Sequence, residues 1–166
     1  MTNMTQSTFR TRIADLASRD VGMRREARRA LLEIGTPAVE PLLEALPRRA
    51  GEARPEIFKV LRSIADPAAV DVFLRALEDE DAEVRWIAAE GLVALGRVGL
   101  VRLLEELTEY PETEWKLRGA HHVLSAHLRS PRFNQIVGPV LRAFTSDVYR
   151  IELPRAALEA LNLLRA

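Results

Sequence analysis

Apolar residues recur at three- and four-residue spacing along two adjoining stretches between Asp81 and Leu107. Val84, Ile87, Ala88, Gly91, Leu92 and Leu95 form one stripe. Leu100, Leu103, Leu104 and Leu107 form a second after a break at Gly96. Polar and charged residues fill most positions between, so each stripe predicts a short helix with one dry face. Moved back by 61 residues, the stretch falls without a gap on Asp20 to Leu46, pairing Arg85 with Arg24, Ala88 with Ala27, Leu92 with Leu31 and Gly96 with Gly35. Two periods of about 30 residues mark a stacked-repeat architecture, because one helix pair cannot bury its apolar face without a neighbour.

The pattern extends to about ten helices. Residues 1–6 are polar and unpatterned, which predicts a flexible tail and leaves 7–166 as a single domain. The first helix is expected from about Ser7, a candidate N-cap, to Ser18, with Phe9, Ile13, Leu16 and Ala17 facing inward. The second runs from about Gly22 to Ile34 and stops at Gly35. Thr36 and Pro37 open the third as cap and first residue, Pro41 should bend it, and Pro47 ends it before a linker at 48–52. The fourth covers about Arg54 or Pro55 to Ile64, and Asp66-Pro67 caps the fifth. The sixth and seventh are the two stripes described first, closed by Tyr110-Pro111. The eighth spans about Thr113 to Leu128, the ninth Pro131 or Arg132 to Phe144 with an interruption at Gly138-Pro139, and the tenth Pro154 to Leu164. A shift of 32 lays Ala88 on Ala120 and Leu92 on Leu124 but Arg85 on Leu117. Either the register slips by one early in the eighth helix or that turn packs differently.

The run Asp-x-x-Val-Arg-x-x-Ala-Ala-x-x-Leu-x-x-Leu-Gly from Asp81 to Gly96, repeated more loosely from Asp20 to Gly35, resembles a HEAT repeat of the bacterial phycobilisome-lyase-like type. Prolines in the first helix of a pair, Pro41 and Pro139, fit the same family. The resemblance covers five helix pairs from about residue 7 to 165. It implies an all-α, right-handed α-solenoid with the first helices of the pairs in a convex layer and the second helices in a concave one. It also implies a ladder in which the turn Asp and the following Arg link neighbouring repeats. Arg24, Arg54 and Arg85 supply the arginines, whereas Asp20 and Asp81 have no counterpart at Ala50, so the ladder should break at the second pair. The three arginines are read as structural.

An apolar content of 48% is enough for a continuous core. Cysteine is absent, which excludes disulfides and thiolate chemistry. No leader-like start and no apolar run of membrane-spanning length occurs, so a cytoplasmic location without a membrane partner is expected. Zero net charge hides an uneven distribution. Residues 1–62 hold 12 Arg and Lys against 8 Asp and Glu, 63–114 hold 4 against 13, and 115–166 hold 8 against 3.

Signatures of catalysis are missing. There is no Gly-rich phosphate loop, no Gly-x-Ser-x-Gly elbow and no His-Glu-x-x-His. His121, His122 and His127 share the eighth helix at separations of 1, 5 and 6, none of which brings two rings to one ligand position. No metal, no cofactor and no enzymatic activity are therefore expected. Helical phase instead points to a row along the second helices: Arg25 and Arg29, Lys59 and Arg62, Trp86 and Glu90, Arg118 and His122, then Arg155. Trp86 stands out because Ile87 and Ala88 already fill the core positions beside it. A large aromatic facing a groove suits a partner hot spot; the competing reading lays it flat against the next repeat. Trp115 is placed to sit beside it. The leading functional expectation is a non-enzymatic scaffold or adaptor gripping a protein segment along this row. The alternative is nucleic-acid binding at the basic N-terminal end, where Arg25, Arg28, Arg29, Arg48, Arg49, Lys59 and Arg62 cluster, as is similar in DNA glycosylases built from HEAT-like repeats. The acidic centre opposes a nucleic-acid backbone running the full groove. A third class, chromophore handling, is suggested by the phycobilisome-lyase resemblance.

Overall fold

Four side-chain caps and two glycine turns set where the helices begin and end. The computed structural model describes residues 6–48, 53–109 and 113–165, which form ten α-helices and no strand. They are α1 (Gln6–Asp15), α2 (Val21–Ile34), α3 (Val39–Ala45), α4 (Ala53–Ile64), α5 (Val70–Ala76), α6 (Ala82–Ala94), α7 (Arg97–Thr108), α8 (Glu114–Leu128), α9 (Asn134–Ala143) and α10 (Tyr149–Arg165). The expected tail, apart from Gln6, lies outside the described residues, as do the side chain of Ser7, most of the 48–52 linker, and Tyr110-Pro111.

Asp20 accepts from the amides of Gly22 at 2.6 Å and Met23 at 3.3 Å, and Asp81 from that of Glu83 at 2.8 Å. Asp66 and Thr113 do the same for the turn before α5 and for α8. Each satisfies amides that the first helical turn leaves without a partner. Gly35 and Gly96, at φ of 71° and 57°, make the tight turns after α2 and α6 in a backbone region open to glycine.

Several boundaries differ from expectation for local reasons. Thr36 does not cap; it enters a 3₁₀ turn over Thr36–Ala38, and α3 starts only at Val39. Pro41 is thereby the third residue of α3, where the amide has no intrahelical partner to lose. Ala17 is exposed because α1 ends at Asp15. α9 starts at Asn134, after a turn closed by Phe133 N–H to Ser130 O at 3.0 Å. α10 begins at Tyr149, which brings the fully buried Leu153 into the helix and leaves Pro154 inside it. In α8 the shift of 32 holds throughout: Lys116, Gly119, Ala120, Val123, Leu124 and His127 take the places of Val84, Ile87, Ala88, Gly91, Leu92 and Leu95. The early turn differs in residue type and not in register.

Stacking follows the repeat for four pairs. α2, α4, α6 and α8 pack in sequence as one row, while α1 packs on α3 and α5 on α7 in the other. One continuous core runs from Ile13 to Leu161. The fifth pair is crossed: α9 lies against α8, and α10 lies against α7 and α9. Aromatic edges hold α9 in place, with the Phe133 ring 5.6 Å from His127 and the Phe144 ring 5.5 Å from His121. α10 is tied to α7 by Arg97 Nη2 donating to Leu164 O at 2.5 Å and by Arg165 paired with Glu105 at 2.7 Å. The result is an all-α solenoid of five helix pairs whose last pair exchanges layers. No described helix is long and apolar enough to cross a membrane.

Candidate functional site

α6 and α8 are neighbours in the even-numbered row, and the open furrow between them has a volume of about 270 Å³. Leu77, Ala82, Ala89 and Gly119 supply apolar lining, and Arg85, Trp86, Trp115, Arg118 and His122 supply the rest. Both tryptophans of the chain are here, Trp86 57% exposed and Trp115 46% exposed. Trp86 stacks at a tilt on His122, with ring centroids 4.6 Å apart. His122 Nε2 lies 2.7 Å from Glu90 Oε1, so α6 grips the imidazole with two side chains one turn apart. That contact braces the indole, which stays 57% exposed. The competing reading of Trp86, flat against the next repeat and mostly buried, does not describe this geometry.

Trp115 is positioned by the cap of α8. The Thr113 hydroxyl accepts from Lys116 N–H at 3.2 Å and donates to Glu78 at 2.6 Å, anchoring the start of α8 to the turn before α6. Across the furrow the Arg85 guanidinium lies 4.1 Å above the Trp115 ring, and its Nη1 donates to the carbonyls of Asp79 at 2.6 Å and Glu80 at 3.0 Å. Arg118 pairs with Glu114 one turn earlier at 2.7 Å, both largely exposed. Among the described residues the lining holds no hydroxyl, thiol, amine or carboxylate.

Of the residues expected along the second helices, Trp86, Glu90, Arg118 and His122 converge at this furrow. Arg25, exposed, and Arg29, paired with Glu33 at 2.9 Å, stand on α2; Lys59 and the half-buried Arg62 stand on α4. Arg155 pairs with Glu159 at 3.2 Å, but the crossed fifth pair puts α10 against α7, so Arg155 does not continue the row. His121 is exposed at the α9 contact, and His127 is buried, its Nδ1 donating to Val123 O at 2.9 Å.

Residues 39–125, more than half the chain, match the model for HEAT repeats. The chain belongs to the HEAT-repeat family. Residues 23–46 also match the PBS lyase HEAT-like repeat, in keeping with the phycobilisome-lyase-like type resembled by Asp81 to Gly96. A chain in the structure of the complex of CpcE and CpcF of phycocyanin lyase from Nostoc sp. PCC7120 is similar, with a TM-score of 0.65, 26% identity, and coverage of 94% of this chain and 99% of that one. No curated protein matches.

The links between these HEAT repeats differ from the expected Asp–Arg ladder. Asp20 and Asp81 cap their own helices. Arg24 donates to Ser18 O at 2.6 Å as Arg85 does to Asp79 O, the same bond 61 residues on, so both brace their own turns. Among the described residues, Arg54 pairs across repeats with Asp79, whose carboxylate is nearly inaccessible and also accepts from Asp81 N–H. The second pair is therefore joined to the third through a residue the ladder pattern passes over. Its sequence signal was an acid at the position equivalent to Ser18.

A second set of links crosses the even row. Arg28 of α2 lies 3.1 Å from Glu56 of α4, Glu56 is 3.0 Å from Lys59, and Lys59 reaches Glu83 of α6 at 2.8 Å. Burial pulls the Lys59 pKa down, but hydrogen bonds and charge from Glu83 and Glu56 outweigh it and raise the value above the ordinary 10.5. A lysine raised on folding contributes stability that is fully present below the unfolded value and lost as pH climbs through the folded one. The stability gap between wild type and Lys59→Met should therefore stay constant from neutral pH up to the ordinary lysine range and close above it. Urea titrations at stepped alkaline pH measure this, and a gap that widens there would contradict the assignment.

Proposed function

We propose that this HEAT-repeat protein is a non-enzymatic scaffold or adaptor that holds a protein segment in the α6–α8 furrow. The observation that carries the reading is the exposure of both tryptophans on one furrow, braced by His122 and Arg85. Rigid, half-exposed aromatics combine large contact area with little ordering cost, which is why they recur as binding hot spots. Truncating Trp86 should then remove the partner without unfolding the repeat, since its ring lies outside the core. Pull-down from native cytoplasm with wild type and Trp86→Ala, with and without nuclease, tests this. The partner should disappear with the variant, which weakens binding about tenfold to several hundredfold. An unchanged band would remove the furrow from consideration.

The basic N-terminal end offers less to a nucleic acid than its composition suggests. Arg28, Arg29 and Lys59 each lie against a carboxylate, Glu56, Glu33 or Glu83. Binding should accordingly depend little on salt, where phosphate contacts would weaken steeply. A second reading, a lyase-associated role, is favoured by the similarity to a chain of the phycocyanin lyase complex. A visible absorption band appearing when the purified chain meets a pigment would support it.

A further inference from the structure

We infer that the α6–α8 furrow takes a segment presenting one bulky apolar side chain with a single carboxylate beside it; this rests on the furrow reading above and assigns its ligand class. The space of about 270 Å³ in this open furrow falls just below the usual size of ligand sites, which suits one side chain and not a helix. Its walls include the half-exposed rings of Trp86 and Trp115. The charged groups in the lining are cationic, Arg85 and Arg118, alongside the imidazole of His122.

Arg85 is the anchor. Two carbonyls and an indole ring fix its guanidinium in place, yet among the described residues no carboxylate pairs with it. A cation held rigidly with its charge uncompensated costs little to engage, because it is already ordered and partly stripped of water. Among the described residues Arg118 is engaged only by Glu114, in an exposed pair of small worth, so a ligand carboxylate can exchange with Glu114. The surroundings cap the ligand's charge. Glu90 closes one side beside His122, Glu83 lies near the start of α6 against Lys59, and the turn before α6 reads Glu78-Asp79-Glu80-Asp81. One carboxylate is attracted by the two arginines, whereas a polyanion meets this acidic border.

Both tryptophans lie in the furrow, so indole emission reports on it alone. The test titrates the full chain with acetylated, amidated tetrapeptides Ala-Phe-Glu-Ala, Ala-Phe-Gln-Ala and Ala-Phe-Lys-Ala, and with oligothymidylate. The glutamate peptide should shift the emission saturably and bind about tenfold tighter than the glutamine peptide. Arg118→Gln, an exposed change, should shrink that margin and leave the thermal midpoint in place. Equal binding of the three peptides, or tighter binding of the lysine peptide, overturns the ligand class; the furrow reading survives if Trp86→Ala weakens them all. Peptide binding indifferent to Trp86→Ala overturns the furrow reading as well. Tighter binding of oligothymidylate overturns the proposal in favour of a nucleic acid, and no saturable change with any peptide overturns it too.

Discussion

Leu92→Ala lowers the unfolding free energy by about 2–5 kcal/mol. Leu92 is fully buried on α6, the helix that packs against α4, α5, α7 and α8, so the void it leaves is bounded by several elements of the stack. In a solenoid most of the stability resides between repeats, and a hole at a shared position weakens more than one interface. Leu103→Ala, equally buried on α7, should fall in the same range. Leu163→Ala, at a side chain 62% exposed, should stay within about 0.5 kcal/mol of wild type. Urea unfolding with an unchanged slope reads the difference, and losses below about 1 kcal/mol at both buried leucines would contradict their place in the core.

Gly99→Ala should be comparably damaging for the opposite reason. A Cβ at Gly99 would sit 2.1 Å from the carbonyl oxygen of Leu92, and that oxygen belongs to backbone that cannot rotate aside. α7 would have to move off α6. Overpacking costs about 1–3 kcal/mol where side chains can yield, and more is expected where backbone must shift. Alanine in a helix interior gains about 0.5–1 kcal/mol over glycine, too little to offset this. Gly138→Ala provides the contrast, because its nearest neighbour is the tip of Arg142 at 3.6 Å, and only the propensity gain remains. Thermal melts of the two variants should move in opposite directions; a Gly99→Ala protein as stable as wild type would show that α6 and α7 are not in close contact.

The positions that the sequence places on dry faces are dry: Leu31, Leu92 and Leu124 at matched places in three second helices are all fully buried. Periodicity identifies which side of a helix is apolar, and that side needs cover whatever the neighbour is. For the same reason it could not foresee the crossed fifth pair. Ala157 and Leu161 repeat the pattern of Ala88 and Leu92, yet α10 is covered by α7 and α9, not by α8. The neighbour is chosen by contacts between distant residues, such as Arg97 with Leu164 O and Arg165 with Glu105, which leave no periodic trace. The furrow was half legible. Trp86, Glu90, Arg118 and His122 follow from helical phase, and Trp115 was placed nearby. The pairing of Arg85 with Trp115 depends on where the Thr113 cap starts α8 relative to α6, a length set by a turn and not by a stripe.

The exchange of layers at the end of the stack also bears on how freely this molecule can be lengthened or shortened. Internal modules present the same pair of flanks on either side and are interchangeable in principle, whereas the fifth mates its leading helix with a trailing one. A duplicate of the third module inserted before α9 should be accommodated, while the fifth module moved to an internal slot would offer each flank to the wrong neighbour.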